Sequence, residues 1–307
     1  MTFKDNTFRA SNENFDKFAF MLRLQTPVAD EKCKVGISYK DKIMMLGSCF
    51  SDSIGRQLQD LGFGVCVNPF GTLYNPASIL RSIERLVHGT EFTMDDCVKI
   101  GAGDQRWCSF SHHTSFARCT REEFVDNANE ELKKAREHFL ACNKVIITLG
   151  TSWCFRHLEY DAVVSNCLKR PAAEFRRERL SVEEVHTALR KIMEMCPEKE
   201  FIFTVSPIRH FKDGAHGNQI SKAGLLLGIE GILDSDKADY FPAYEIVMDE
   251  LRDYRFYAED MCHPTQQTVD YIRDRFLTWA LPTEETSVLE DKIRTYKRMS
   301  HLDNYRK

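Results

Sequence analysis

Residues 42–50 read Lys42-Ile43-Met44-Met45-Leu46-Gly47-Ser48-Cys49-Phe50. A short apolar run that stops at a glycine suits a strand buried on both faces of a parallel sheet. From Ser51 to Leu61, Ile54, Leu58 and Leu61 fall at helical spacing, and Gly62 and Gly64 close the segment as glycines do past a helix end. Strand, turn and helix form one βα unit, and the chain repeats the pattern. Val65-Cys66-Val67, Lys144 to Leu149 and Phe201 to Val205 read as further strands. Helices are expected over 76–87, 121–141, 181–195, 218–233 and 265–280, the third opening on the capping box Ser181-x-x-Glu184. This alternation predicts a three-layer α/β fold, doubly wound around a mainly parallel sheet. Residues 88–120 and 153–180 read as loop insertions. The α/β domain is expected over 20–282, and 283–307 reads as a polar helical tail.

Composition narrows the function classes. The chain has 307 residues, 43% hydrophobic and 29% charged, enough for a full core. A formal net charge of -4 gives no basic footprint for nucleic acid. No stretch approaches the ~18 apolar residues of a membrane span. The first twenty residues mix charges with aromatics and hold no unbroken apolar region, so no signal peptide is read there. Eleven scattered cysteines without a CxxC pair suggest reduced thiols and a cytoplasmic protein. No HxxxH or HExxH spacing accompanies the ten histidines, so no metal is expected, and no phosphate-binding glycine loop is present.

In open α/β sheets ligands bind at the carboxyl ends of the strands. Here those ends carry Gly47-Ser48-Cys49, Gly150-Thr151-Ser152 and Ser206-Pro207. A nucleophile at Ser48 or Cys49 would sit at a helix N-terminus, where unpaired N–H groups favour negative charge. Read alone, the turn more often means an N-cap serine beside a buried cysteine, because capping serines are common. Asp260-Met-Cys-His263 places a carboxylate three residues from a histidine, a spacing that lets the carboxylate fix the tautomer of a general base. A surface acid and a histidine entering a helix give the same letters. Oxyanion donors for acyl transfer are sought at the Ser48/Cys49 turn, Gly71, Thr151 and Ser152. Asn75, His113, Arg209 and His210 are candidate substrate-binding residues. A cation at Arg209 suits a substrate carboxylate or phosphate.

Longer motifs add to this. LGSCFSDSIG at 46–55, NPFGTLYNP at 68–76, ITLGTSW at 147–153, TVSPIRH at 204–210, SKAGLL at 221–226 and the run ending EDMCHP at 259–264 resemble the GSCFA family, within the wider SGNH/GDSL hydrolase-like group. The resemblance spans roughly residues 20 to 280. It implies a flavodoxin-like SGNH fold, with Asp260 and His263 as the orienting acid and the base. Gly71 falls on the group's glycine block, and Gly150-Thr151-Ser152 on its oxyanion-asparagine block, where Ser152 replaces the asparagine. The nucleophile falls on Cys49 by register or on Ser48 by a tighter turn. The expected function is hydrolysis of a small-molecule or saccharide ester without a cofactor. The alternatives are an O-acyltransferase drawing on acetyl-CoA and a non-catalytic binding protein that keeps the cleft.

Overall fold

The computed structural model describes residues 26–29 and 33–304. The central sheet uses β1 (Lys42–Gly47), β2 (Gly64–Val67), β5 (Lys144–Leu149), β9 (Glu200–Val205) and β10 (Ala238–Tyr240). Two short strands, β3 (Val98–Lys99) and β4 (Trp107–Cys108), form a separate ribbon. A third sheet joins β6 (Trp153–His157), β7 (Ala162–Val164) and β8 (Phe175–Arg179). The helices are α1 (Cys49–Asp60), α2 (Pro76–His88), α3 (Arg121–Ala141), α4 (Val182–Met195), α5 (Gly214–Glu230), α6 (Ala243–Glu245, continued by a π-helical turn to Glu250), α7 (Gln266–Ala280) and α8 (Thr286–Asn304).

The central order is β10-β9-β5-β1-β2, with every pairing parallel. In chain order this is 2-1-3-4-5, the flavodoxin-like doubly wound arrangement, and the chain reverses direction between β1 and β5. Alternate side chains of β1 divide between two cores. Met44 and Leu46 join α2, α3, α4 and α5 on one face. Ile43 and Met45 join α1, α6 and α7 on the other. Burial on both sides explains why β5 reads KVIITL with no alternation: all six residues are buried. Each fully buried aliphatic side chain contributes about 1.5–3 kcal/mol.

The fold matches the expected class and departs from the sequence reading in several elements. The segment 153–180 is not a loop, because β7-β6-β8 make an antiparallel sheet there. Helix α5 begins at Gly214 and ends at Glu230, rather than running from 218 to 233. The fifth strand, β10, was not foreseen. The N-terminal stretch in which no signal peptide is read, residues 20–25 and 30–32 of the expected domain, and the last three residues of the tail lie outside the described residues. Helix α8 places Leu289 and Ile293 against the core on the α1 side. Among the described residues no helix is long and apolar enough to cross a membrane. All eleven cysteines are free thiols.

Candidate active site

The turn between β1 and α1 is pinned from three directions. Gly47 has φ +149°, and a Cβ there would lie 2.2 Å from the Thr148 carbonyl oxygen, so only glycine fits. Its N–H donates to Asn68 Oδ1 at 2.8 Å, and Asn68 Nδ2 donates to Asp52 Oδ1 at 2.5 Å. Ser48 N–H donates to the Thr148 carbonyl at 3.2 Å. The β2 exit, the fourth residue of α1 and the end of β5 thus fix one turn.

The two nucleophile candidates end up in different surroundings. Ser48 is at the N-cap of α1, yet its hydroxyl makes no capping bond and is buried without a partner. Cys49, the first helical residue, lines an open cleft of about 510 Å³. Burial raises the Cys49 thiol pKa; Asp52 adds to the rise, while the N–H groups of Cys49 and Phe50 and the charge of Lys222 oppose it. The resting sulfur is therefore a neutral thiol at neutral pH, with helix N-terminal donors facing it.

The histidine loop is built around one carboxylate. Asp260 Oδ1 accepts the backbone N–H groups of Cys262 and His263, each at 2.9 Å, and Oδ2 lies 2.6 Å from His263 Nδ1. Those bonds hold the Asp260 carboxyl at about 2, below its ordinary value of 3.8. The loop is tied to the end of β9 because Arg209 N–H donates to the Cys262 carbonyl at 3.1 Å. His263 and Cys262 line the same cleft as Cys49.

The cleft also gathers Asn75, Thr151, Arg209 and His210, whereas Ser48, Gly71, Ser152 and His113 are not on its wall. His113 packs on Gly71, where a Cβ would lie 2.3 Å from His113 Cβ, and its Nδ1 accepts the Ser115 N–H at 3.2 Å. The His210 side chain is mostly buried, and burial pulls its pKa to about 4, so it is neutral. Of the N–H groups sought as oxyanion donors, those of Ser48, Gly71, Thr151 and Ser152 are engaged within the protein, whereas those of Cys49 and Phe50 have no acceptor among the described residues. Gly71 N–H donates to the Asn68 carbonyl at 2.8 Å and Thr151 N–H to the Tyr74 carbonyl at 2.9 Å. Ser152 donates its N–H to Ser221 Oγ at 2.8 Å and its hydroxyl to the same atom at 3.2 Å.

Asn75 offers a donor instead. Its Oδ1 caps α2 by accepting the Ser78 N–H at 2.9 Å, which aims Nδ2 elsewhere. Nδ2 donates to no described residue, and the side chain forms part of the cleft wall. Below it, fully buried Lys222 donates to the carbonyls of Gly150 and Ser206, both at 2.7 Å, joining the ends of β5 and β9. Desolvation lowers its pKa to about 7. The sequence reading assigned Lys222 no role, although it lies within the motif SKAGLL at 221–226. Trp153, Phe155 and Arg177 reach the cleft from the antiparallel sheet. Among the described residues no cluster of side chains fits a metal ion.

A profile of the GSCFA family matches residues 42–276, from β1 into α7. The chain belongs to the GSCFA family. Both sides of the cleft, the Gly47-Ser48-Cys49 turn and the Asp260–His263 loop, lie within that match. No curated protein matches this GSCFA chain. Among solved structures, one similar chain is an acetyl xylan esterase, Est2A, from the rumen bacterium Butyrivibrio proteoclasticus, 13% identical with a TM-score of 0.37. That alignment covers 79% of this chain and 65% of the esterase, so the GSCFA chain spans less than two thirds of that protein. Another is a family 3 carbohydrate esterase from Clostridium thermocellum, 11% identical with a TM-score of 0.36, covering 82% of this chain and 98% of that one.

Proposed function

We propose that this GSCFA protein is an acyl hydrolase that cleaves a small-molecule or saccharide ester through Cys49, His263 and Asp260. The observation that carries the reading is that Cys49, on the N-terminus of α1, and His263, held by Asp260, line one cleft. Cys49 Sγ attacks the ester carbonyl carbon while His263 takes the thiol proton. Because the resting thiol is neutral, that transfer accompanies attack rather than preceding it. Asp260 accepts the Nδ1 hydrogen, leaving Nε2 as the base. The carbonyl electron pair moves to oxygen, which the N–H groups of Cys49 and Phe50 and the Nδ2 of Asn75 stabilise. The C–O bond then breaks, and the leaving alcohol takes the proton from His263. Water, deprotonated by His263, attacks the thioester and frees the carboxylic acid and the thiol. In the resting site Cys49 makes no hydrogen bond to His263; catalytic contacts of this kind tighten in the substrate complex. Trp153 and Tyr74 line the cleft and bring aromatic surface to it, which suits a sugar ring.

A second reading keeps the same residues and replaces water with a saccharide hydroxyl. The thiol favours it, since a thiol exchanges acyl groups directly with a thioester donor such as acetyl-CoA. Release of p-nitrophenol from p-nitrophenyl acetate, lost in both Cys49→Ala and His263→Ala, supports the hydrolase. Consumption of acetyl-CoA only when a saccharide is present supports the transferase. Inactivity in both assays leaves the cleft as a binding site and defeats the catalytic reading.

A further inference from the structure

The cleft wall carries more positive charge than its carboxylate balances. Its charged residues are Arg177, Arg209, Lys212 and Asp213. Arg177 is matched, since its Nε and Nη2 donate to Asp213 Oδ1 at 2.8 and 2.5 Å. Asp253, in the adjoining pocket shared by Arg209, pairs with Arg255 at 3.0 Å. Arg209 and Lys212 make no ion pair or side-chain hydrogen bond with any described residue. This excess stands against a chain whose formal net charge is -4, so bulk composition does not explain it.

Both cations are positioned by aromatic rings. The Arg209 guanidinium carbon is 4.7 Å from the centre of the Phe211 ring, 5.6 Å from that of Tyr257 and 5.9 Å from that of Tyr254. Lys212 Nζ lies 4.8 Å from the Phe155 ring centre. Ring contact with a guanidinium engages its face and leaves the in-plane N–H donors for a ligand; these donors match the two oxygens of a carboxylate or phosphate. The Arg209 N–H is bonded to the Cys262 carbonyl, so the Arg209 backbone is held beside the His263 loop.

We propose that Arg209 and Lys212 select a substrate bearing a carboxylate or phosphate group, bound beside the acyl group that Cys49 attacks. The inference takes the cleft to be the reactive site, but its test needs no turnover. Cys49 is alkylated with iodoacetate and, separately, with the neutral analogue iodoacetamide, and the modified peptide is quantified by mass spectrometry. In either reaction the sulfur displaces iodide and the thiol proton passes to solvent. Exposed Cys119 is the internal reference.

The iodoacetate-to-iodoacetamide rate ratio is expected to be roughly tenfold higher at Cys49 than at Cys119, the scale of one charge interaction at a partly shielded site. It should fall towards the Cys119 value in Arg209→Gln and Lys212→Gln, and with added salt. Arg209→Lys, which keeps the charge but not the planar fork, should retain part of the preference and serves if Arg209→Gln does not fold. Protection of Cys49 by inorganic phosphate assigns the site to phosphate, and protection by acetate assigns it to carboxylate. Equal ratios at Cys49 and Cys119, or a high ratio that survives both glutamine substitutions, would overturn the proposal. A high, Arg209-dependent ratio in a protein that cleaves no ester would retain this inference and defeat the hydrolase reading.

Discussion

The Asp260 carboxylate grips His263 twice, through the backbone N–H at 2.9 Å and through Nδ1 at 2.6 Å. One oxygen shapes the loop and the other sets the tautomer. Asp260→Asn keeps the shape of the side chain but can present an N–H to Nδ1. Ester hydrolysis is expected to fall by about 10³–10⁴-fold, by analogy with the same change in a Ser-His-Asp site. The measurement is turnover of p-nitrophenyl acetate beside a thermal unfolding curve; full activity in a folded variant would remove Asp260 from the mechanism.

Acid should act through the same carboxyl. Its folded pKa is about 2, below the ordinary 3.8, so its stabilising contribution is complete above the unfolded value and disappears as pH falls through about 2. The stability difference between the natural chain and Asp260→Asn should therefore narrow across that window. Urea unfolding at a series of acidic pH values checks it, and a difference that does not change with pH contradicts it.

Burial separates the adjacent nucleophile candidates. Cys49→Ala should abolish hydrolysis, whereas Ser48→Ala should retain it within a fewfold. The buried, unpartnered Ser48 hydroxyl carries a desolvation cost of about 1–3 kcal/mol, so Ser48→Ala should be no less stable than the natural chain. Loss of activity in Ser48→Ala with Cys49→Ala active would reverse the assignment. Iodoacetamide labelling of Cys49 should also keep rising beyond about pH 9, the ordinary thiol range, because its pKa is raised. A plateau near neutrality would instead mark a preformed thiolate.

Gly47→Ala places a methyl group against the Thr148 carbonyl at a φ that side chains rarely adopt. A loss of at least about 2 kcal/mol in unfolding free energy is expected from the strain and overlap together. The urea midpoint of the variant measures it.

Lys222 gives a test at alkaline pH. Its folded pKa is about 7, below the ordinary lysine value, so the unfolded chain binds the extra proton between those two values. Stability from this group therefore rises with pH across that range, by at most about 1.4 kcal/mol per pH unit. Compared with Lys222→Met, the natural chain should gain ground as pH increases from about 7 to 10, the interval bounded by the shifted and ordinary lysine values. Parallel curves would mean that Lys222 keeps its proton throughout.

The fold was legible wherever burial on both faces forced unbroken apolar runs, as in β1, β5 and β9. It was illegible in β10, whose three residues include Asp239, bound there to the backbone of Lys34 and Val35. Phe175-Arg-Arg-Glu-Arg179 concealed β8, because its charges lie on partly exposed faces, where Arg176 pairs with Glu178, Glu178 with Arg156, and Arg177 with Asp213. In the candidate site, residue types at the end of β1 pointed to Ser48 or Cys49, and the Asp-x-x-His spacing pointed to Asp260 and His263. Which N–H groups were already bonded depended on contacts such as Thr151 with Tyr74 and Ser152 with Ser221, far apart in the chain. Spacing carries no record of those bonds.

The antiparallel sheet β7-β6-β8 has a consequence for how this cleft can diversify. Cys49 and His263 stand at the end of the parallel sheet and on the Asp260 loop, while Trp153, Phe155 and Arg177 arrive on a separate hydrogen-bonded unit. Substitutions confined to that unit would reshape the cleft wall while leaving the Gly47-Ser48-Cys49 turn untouched. That part of the cleft wall is thus separable in the chain from Cys49 and His263.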